Sequence, residues 1–337
     1  MEYKSNCLVD NPLVSVFIFT YNQEKIVDKT INSIIAQKTT FPFEIIIAED
    51  CSSDGTKAKC LEYVNKYPEK IHLVANDSNK GILRNYHESI NQYARGKFIA
   101  CCAGDDWWCD ELKLQKQISF LEKNPEYDLI HTKSKIYSEK SSRYLRNTMG
   151  KDRDQFEKMI VANGIAAVTA CYSKKAIFEY VQEINPVSVN FPGEDYPMWI
   201  WFSYRKKIYF LDEVTTVYRL QKESLSNTSN PQGIHIIERD RREIKMFFYN
   251  HFGISDNSIL NLIDLKYYID TIRTAALVGD KENFKERNNL LLKNKLYILY
   301  ILSQLYFICG KNRLLNNILF YLERGLRKSG ITGRHYL

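Results

Sequence analysis

Three pairs of acids stand out because of what surrounds them. Gly104-Asp105-Asp106-Trp107-Trp108 follows an apolar run, Lys97-Phe-Ile-Ala-Cys-Cys102, and precedes an amphipathic segment. Neighbouring carboxylates at such a place repel unless a cation neutralises them. A hard ion such as Mg2+ or Mn2+ takes one or two carboxylates and fills its shell with water and phosphate oxygens. An N-cap aided by the helix dipole is the other reading, although Asp110 and Glu111 already suit that role. Glu49-Asp50 closes a second apolar run, Phe43 to Glu49, and opens Cys51-Ser-Ser-Asp-Gly55. A carboxylate there could accept an N–H from a nucleotide base or ribose, or make an Asx turn. Gly193-Glu194-Asp195 borders Tyr196, Trp199, Trp201, Phe202 and Tyr204. Apolar surroundings raise a carboxyl pKa, which suits a general base, while a helix N-terminal acid pair is the structural alternative.

The elements that must position these acids follow from periodicity. Val14 to Thr20 and Phe43 to Glu49 read as buried strands, Ile71 to Ala75 as a short one, and Lys97 to Cys102 as a fourth. Glu24 to Gln37, Thr56 to Tyr67 and Ile82 to Ala94 between them have helical spacing. Such alternation predicts a mainly parallel α/β sheet, in which ligands sit at the carboxyl ends of the strands. Thr20-Tyr21-Asn22, Glu49-Asp50 and Asp105-Asp106 all fall at those ends. Farther on, the pattern predicts a helix from Glu111 to Asn124 and strands at Leu129–Thr132 and Gly164–Cys171. It also predicts a loop over Tyr137–Asp154, a helix over Asp195–Tyr204, and short strands at Ile208–Leu211 and Val214–Tyr218. Gln221 to Gln232 is a turn-rich linker, and beyond Gly233 only helical periodicity remains. The expected domains are therefore 1–232, catalytic, and 233–337, helical.

Composition narrows the function classes. With 337 residues, 45% hydrophobic and 26% charged, the chain can build a core, so disorder is a poor reading. Its eight cysteines form no C-x-x-C pair, and no dinucleotide G-x-G-x-x-G or P-loop sequence occurs. Met1 to Asp10 holds no apolar leader, which points to the cytoplasm. The net charge of +7 is uneven: Lys285 to Leu337 holds ten basic residues and two acids, +8, leaving −1 for the rest. Those C-terminal helices either pack on protein or lie at an anionic membrane surface. Nucleic acid is disfavoured, since charge alone gives no readout.

Taken in order, the motifs resemble the inverting, GT-A-fold glycosyltransferases of family 2, over roughly Pro12 to Ser226. They are Val14-Ser-Val-Phe-Ile-Phe-Thr-Tyr-Asn22, Phe43-Glu-Ile-Ile-Ile-Ala-Glu-Asp50, Asn79-Lys-Gly81, Gly104-Asp-Asp-Trp-Trp108, Gly193-Glu-Asp195 and Tyr218-Arg219. The resemblance implies a Rossmann-like GT-A sheet with a helical extension. Asp50 would contact the base of a UDP-sugar, flanked by Thr20, Tyr21, Asn22 and Glu49. Asp105 and Asp106 would match the metal site, with Asp106 meeting the Mn2+ or Mg2+ that bridges the diphosphate. Asp195 would be the catalytic base, with Glu194 beside it. Arg84 would be a candidate diphosphate or ribose contact, and Arg219 could equally be a structural ion-pair partner. The implied activity is hexosyl transfer to a glycan or lipid-linked acceptor in bacterial surface-polysaccharide synthesis. A non-catalytic nucleotide-sugar binding module, with the helical tail recruiting partners, is the alternative.

Overall fold

The computed structural model describes residues 1–5, 7–221, 228, 230–280, 284–309, 315, 318, 319, 321 and 322. Of the basic tail, Lys311, Arg313, Arg324, Arg327, Lys328 and Arg334 lie outside the described residues, as does much of the expected linker. The chain divides into two compact units, one of residues 1–159 and 163–220, the other of 160–162 and 221–337.

In the first unit, β1 (Glu2–Tyr3), β2 (Val14–Thr20), α1 (Val27–Ile35), β3 (Phe43–Glu49), α2 (Thr56–Lys66), β4 (Ile71–Ala75), α3 (Ile82–Tyr93) and β5 (Phe98–Ala103) come first. Then follow β6 (Trp107–Trp108), α4 (Lys113–Lys123), β7 (Tyr127–Ser138), β8 (Arg143–Met149), α5 (Phe156–Met159), β9 (Cys171–Ser173), α6 (Lys174–Ile184), α7 (Pro186–Val189), α8 (Asp195–Arg205) and β10 (Lys207–Leu220). They form one mixed sheet ordered β1-β4-β3-β2-β5-β9-β7-β10-β6, with β8 beside β7. The longest pairings are parallel: β4, β3, β2 and β5 run together, as do β7 and β10.

Every residue of β2 and β3 is buried, because helices cover both faces of the sheet. Apolar positions of α1 (Val27, Ile31, Ile34) meet Val14, Val16, Ile18, Ile45 and Ile47 in the core. Ser15 and Glu44 break the apolar runs but pair with each other at 2.6 Å, and Arg95 closes on Glu44. A buried charge is tolerable only when partnered in this way.

Three expectations need correction. The segment Tyr137–Asp154 is not simply a loop, since it contains β8, whose exposed residues lack the alternation of a half-buried strand. Gly164–Cys171 is mostly not a strand: Ala167–Thr169 form a 3-10 turn, and pairing begins only at Cys171. The two strands expected between Ile208 and Tyr218 are one, β10, whose register slips near Val214.

The second unit contains α9 (Pro231–His251), α10 (Asn257–Val278), α11 (Phe284–Lys293) and α12 (Tyr297–Cys309). Leu265, Ile269 and Ile272 of α10 bury against Leu291, Leu299, Leu302 and Tyr306. A second apolar stripe of α12, Ile298, Ile301, Leu305 and Ile308, faces solvent. Among the described residues no helix is long and apolar enough to cross a membrane.

Candidate active site

The sheet register sets three strand ends side by side. Thr20 lies opposite Glu49, and Phe19 lies opposite both Ala48 and Ala103. Main-chain bonds carry the alignment past the strands: Asp50 N–H donates to Thr20 O (3.0 Å), and Gly104 N–H to Phe19 O (2.8 Å). The groups after β2, β3 and β5 therefore share one edge.

Asp50 is nearly buried and already ordered. Asn76 Nδ2 (2.8 Å) and the Lys80 N–H (2.9 Å) donate to its Oδ1, and the Gly81 N–H (2.9 Å) to Oδ2. Gly81, at φ +76°, then opens α3, which carries the exposed Arg84. A carboxylate has about four acceptor positions, so roughly one remains. Glu49, one residue earlier, points elsewhere. It is fully buried, its Oε1 accepts from the Ser52 N–H at 2.5 Å, and its Oε2 has no partner. Glu49 thus braces the turn from the core rather than facing a donor. Asn22, at φ +52°, ties the ends of β2 and β3 together: its N–H donates to Ser52 Oγ (2.9 Å) and its Oδ1 accepts from Ser53 N–H (2.8 Å). Thr20 is buried and donates to Gln23, while Tyr21 is 46% exposed.

At the end of β5, the Thr30 hydroxyl fixes the turn by donating to the carbonyls of Gly104 (2.9 Å) and Asp106 (2.5 Å). Asp106 is buried, and its Oδ1 accepts from the main-chain N–H of Arg219 on β10 at 2.8 Å. The Arg219 guanidinium donates to the Asp105 carbonyl (2.8 Å), pairs with Glu139 (3.4 Å), and lies 5.1 Å from the Trp107 ring and 5.7 Å from that of Tyr137. Lys29 Nζ sits 3.4 Å over the same Trp107 ring. Burial first, then the charge of Asp105, holds the Asp106 carboxyl pKa well above the usual range. Bringing a cation to this pair would remove both penalties, so the donor set fits a hard divalent ion. No group of three or more His, Cys, Asp or Glu suited to a metal occurs among the described residues. An ion here would complete its shell with water or substrate oxygens.

Glu194 and Asp195 open α8. Asp195 Oδ1 accepts from the Tyr196 N–H at 2.6 Å. Burial, then the neighbouring Asp195, pushes the Glu194 carboxyl up to about 8. Helix α8 is anchored by aromatic contacts of Trp199 and Phe202 with Tyr172 on β9, beside β5. Tyr172 in turn meets the hydroxyl of Tyr86 on α3 and the thiol of Cys101 on β5. The Cys101 thiol is pushed to about 12, chiefly by burial, with Glu194 among the smaller causes.

Sequence reasoning missed several groups that order the site: Thr30, Asn76, Lys29, Tyr172 and the main-chain donor of Arg219. Thr30 did leave a trace, as a hydroxyl inside the apolar stripe of α1.

The same architecture, a mixed, helix-covered sheet with its turns at adjacent strand ends, recurs in solved structures. S. aureus TarS residues 1–349, solved in complex with UDP-GlcNAc, superposes with a TM-score of 0.53 at 18% identity, covering 94% of this chain and 92% of that one. The mannosyltransferase PcManGT from Pyrobaculum calidifontis, in complex with GDP-Man and Mn2+, gives 0.52 at 14%, covering 92% and 87%. The fold is GT-A. Residues 15–181, just under half of the chain, match the family model described as Glycosyl transferase family 2 and form a domain of that family. An uncharacterized glycosyltransferase of Haemophilus influenzae is 27% identical over 329 residues, 93% of this chain and 92% of its own. WfgD of Escherichia coli, a UDP-Glc:alpha-D-GlcNAc-diphosphoundecaprenol beta-1,3-glucosyltransferase, is 28% identical over 228 residues, 65% of this chain and 81% of its own. The match to an uncharacterized protein of Mycobacterium tuberculosis is 38% identical over 113 residues and spans only 32% of that protein.

Proposed function

We propose that this protein transfers a sugar from a nucleoside-diphosphate sugar, with a UDP-sugar the first donor to try, to a hydroxyl of a glycan or lipid-linked acceptor. The transfer inverts the anomeric centre, needs Mn2+ or Mg2+, and serves cell-surface polysaccharide synthesis. The observation that carries this reading is the alignment of Asp50 and Asp105-Asp106 on one sheet edge, with α8, which Glu194 and Asp195 open, anchored through its aromatic rings to β9 beside β5. The names of two relatives support it: WfgD acts from UDP-Glc on a lipid diphosphate, and TarS binds UDP-GlcNAc. The Mn2+ bound by PcManGT supports the ion.

In this reading, the free acceptor position of Asp50 takes an N–H of the base, and the exposed Tyr21 flanks it. Asn22 and Glu49 hold the turn that presents Asp50. Arg84, exposed on α3, is offered to the diphosphate or ribose. Asp106, with Asp105, would hold the divalent ion, which when bound supplies Lewis-acid stabilisation of the leaving diphosphate. Two neighbouring carboxylates do not both ionise cheaply, and burial together with Asp195 holds the Glu194 carboxyl above its ordinary range. Asp195 takes the acceptor's proton, an effect commonly worth about 10²–10⁴-fold. The exposed stripe of α12, preceded by Lys293 and Lys295, supports a peripheral contact with the cytoplasmic face of a membrane.

Asp195→Asn tests the assignment. The amide oxygen can still accept from Tyr196 N–H, so a panel of nucleotide sugars with Mn2+ should raise the melting temperature of variant and wild type alike. Sugar transfer should fall at least 100-fold. Undiminished transfer by the variant would remove Asp195 as the base.

A further inference from the structure

The acceptor side can be read further, on the basis of the transferase reading above. After β7 the chain turns back as β8, which pairs with β7 alone among the described strands, and the nine residues Lys140–Thr148 are all exposed. From Lys140 to Lys151 there are four basic residues, Lys140, Arg143, Arg146 and Lys151, and no acid. Tyr144 is 53% exposed and lies opposite Tyr137 in the register, with ring centroids 5.5 Å apart. Tyr137 stands 5.8 Å from Trp107, and the Arg219 guanidinium lies against both rings. Because Arg219 binds Asp105 through its guanidinium and Asp106 through its N–H, two ring-to-ring steps connect the acidic turn to Tyr144.

An exposed edge strand bearing an uncovered aromatic ring is a liability that folds usually avoid. The flat, apolar face of an aromatic ring suits the C–H face of a pyranose. Arginine suits phosphate, which it can bind through two parallel hydrogen bonds. Two guanidiniums and two ammonium groups along this short segment match a group with several charged oxygens better than a single carboxylate.

We propose that this hairpin is the acceptor subsite: Tyr144 stacks on the acceptor sugar, and Arg143 and Arg146 hold a diphosphate that joins that sugar to its carrier. In the transfer, the acceptor oxygen bonds to the donor's anomeric carbon as that carbon's bond to the nucleoside diphosphate breaks. The hydroxyl proton passes to Asp195, and the nucleoside diphosphate leaves with the bond's electron pair.

The donor also carries a diphosphate, so the test separates the two. Steady-state kinetics would use a donor chosen by thermal shift and two sets of acceptor probes. One set is α-hexosyl and α-N-acetylhexosaminyl diphosphates on a phenoxyundecyl chain, and the other is the matching neutral glycosides. The wild type should show at least a tenfold lower KM for diphosphate probes. Tyr144→Ala should raise acceptor KM at least tenfold, with donor KM unmoved and Tyr144→Phe restoring the wild-type value. Arg143→Ala with Arg146→Ala should erase the preference for diphosphate over neutral probes. Unchanged acceptor KM in these variants, a shift in donor KM instead, or equal use of neutral probes would overturn the proposal. A wild type that hydrolyses the donor yet accepts no diphosphate probe overturns the subsite alone. A wild type that neither hydrolyses nor transfers overturns the transferase reading beneath it.

Discussion

Glu194→Gln isolates the electrostatic cost of the acid pair at α8. Burial and the adjacent Asp195 push the Glu194 carboxyl from its ordinary 4.5 to about 8. An acid whose folded pKa lies above its unfolded one holds its proton longer in the native state. Native stability therefore falls as pH rises from about 4.5 to about 8 and changes little beyond. At 1.36 kcal/mol per pKa unit, the native state at pH 7 carries a penalty on the order of 3 kcal/mol from this group. Glutamine cannot ionise and escapes it. The variant should melt with the wild type at pH 4.5 and on the order of 5–10 °C higher at pH 7 to 8. The check is differential scanning fluorimetry from pH 4.5 to 8.5, without nucleotide or metal. Because Glu194 is mainly protonated at pH 7, the amide is also a fair mimic for catalysis, and transfer should stay within about tenfold of wild type. Parallel melting curves across the pH range, or a variant less stable than wild type at pH 8, would refute the reasoning.

Asp106→Asn keeps an oxygen for the Arg219 N–H but loses the charge. Titration calorimetry should show Mn2+-dependent binding of UDP weakened at least tenfold. The melting temperature without metal should rise rather than fall, because a carboxyl that burial keeps near its neutral form is replaced. Gly104→Ala would place a Cβ 2.9 Å from both Thr20 Cβ and Oγ1 and against Gln23, displacing the start of the acidic turn. Turnover should drop more than tenfold, with a stability loss of about 1–3 kcal/mol read by urea denaturation. Gly96→Ala is harsher, since its Cβ would meet the backbone at Ser15 N (2.5 Å) and Val14 C (2.7 Å), and the soluble yield should collapse.

The part of the fold legible in the sequence is the part whose burial is two-sided. The runs Val14–Thr20, Phe43–Glu49 and Ile71–Ala75 coincide with β2, β3 and β4, because strands covered on both faces need continuous apolar sequence. Strand β8 was illegible for the opposite reason: an exposed edge strand has no apolar face to write. At the site, the chain order of the acids was readable, but their facing was not. Glu49 and Asp50 are neighbours in sequence, yet consecutive residues at a strand end point to opposite sides, so one lies in the core and the other meets the 76–81 loop. Arg219 supplies the hydrogen bond that fixes Asp106 through its main chain, 113 residues away. Side-chain type says nothing about a main-chain donor, so only the pairing of β10 could reveal it.

The most direct measurement is anomalous diffraction from crystals soaked with Mn2+ and UDP. The predicted result is one Mn2+ peak within coordination distance of an Asp106 carboxylate oxygen, with uracil N3 against Asp50 and the Asp195 carboxylate facing the open side of the diphosphate. An ion bound away from Asp106, or an Asp195 turned to a surface that the nucleotide never reaches, would contradict it.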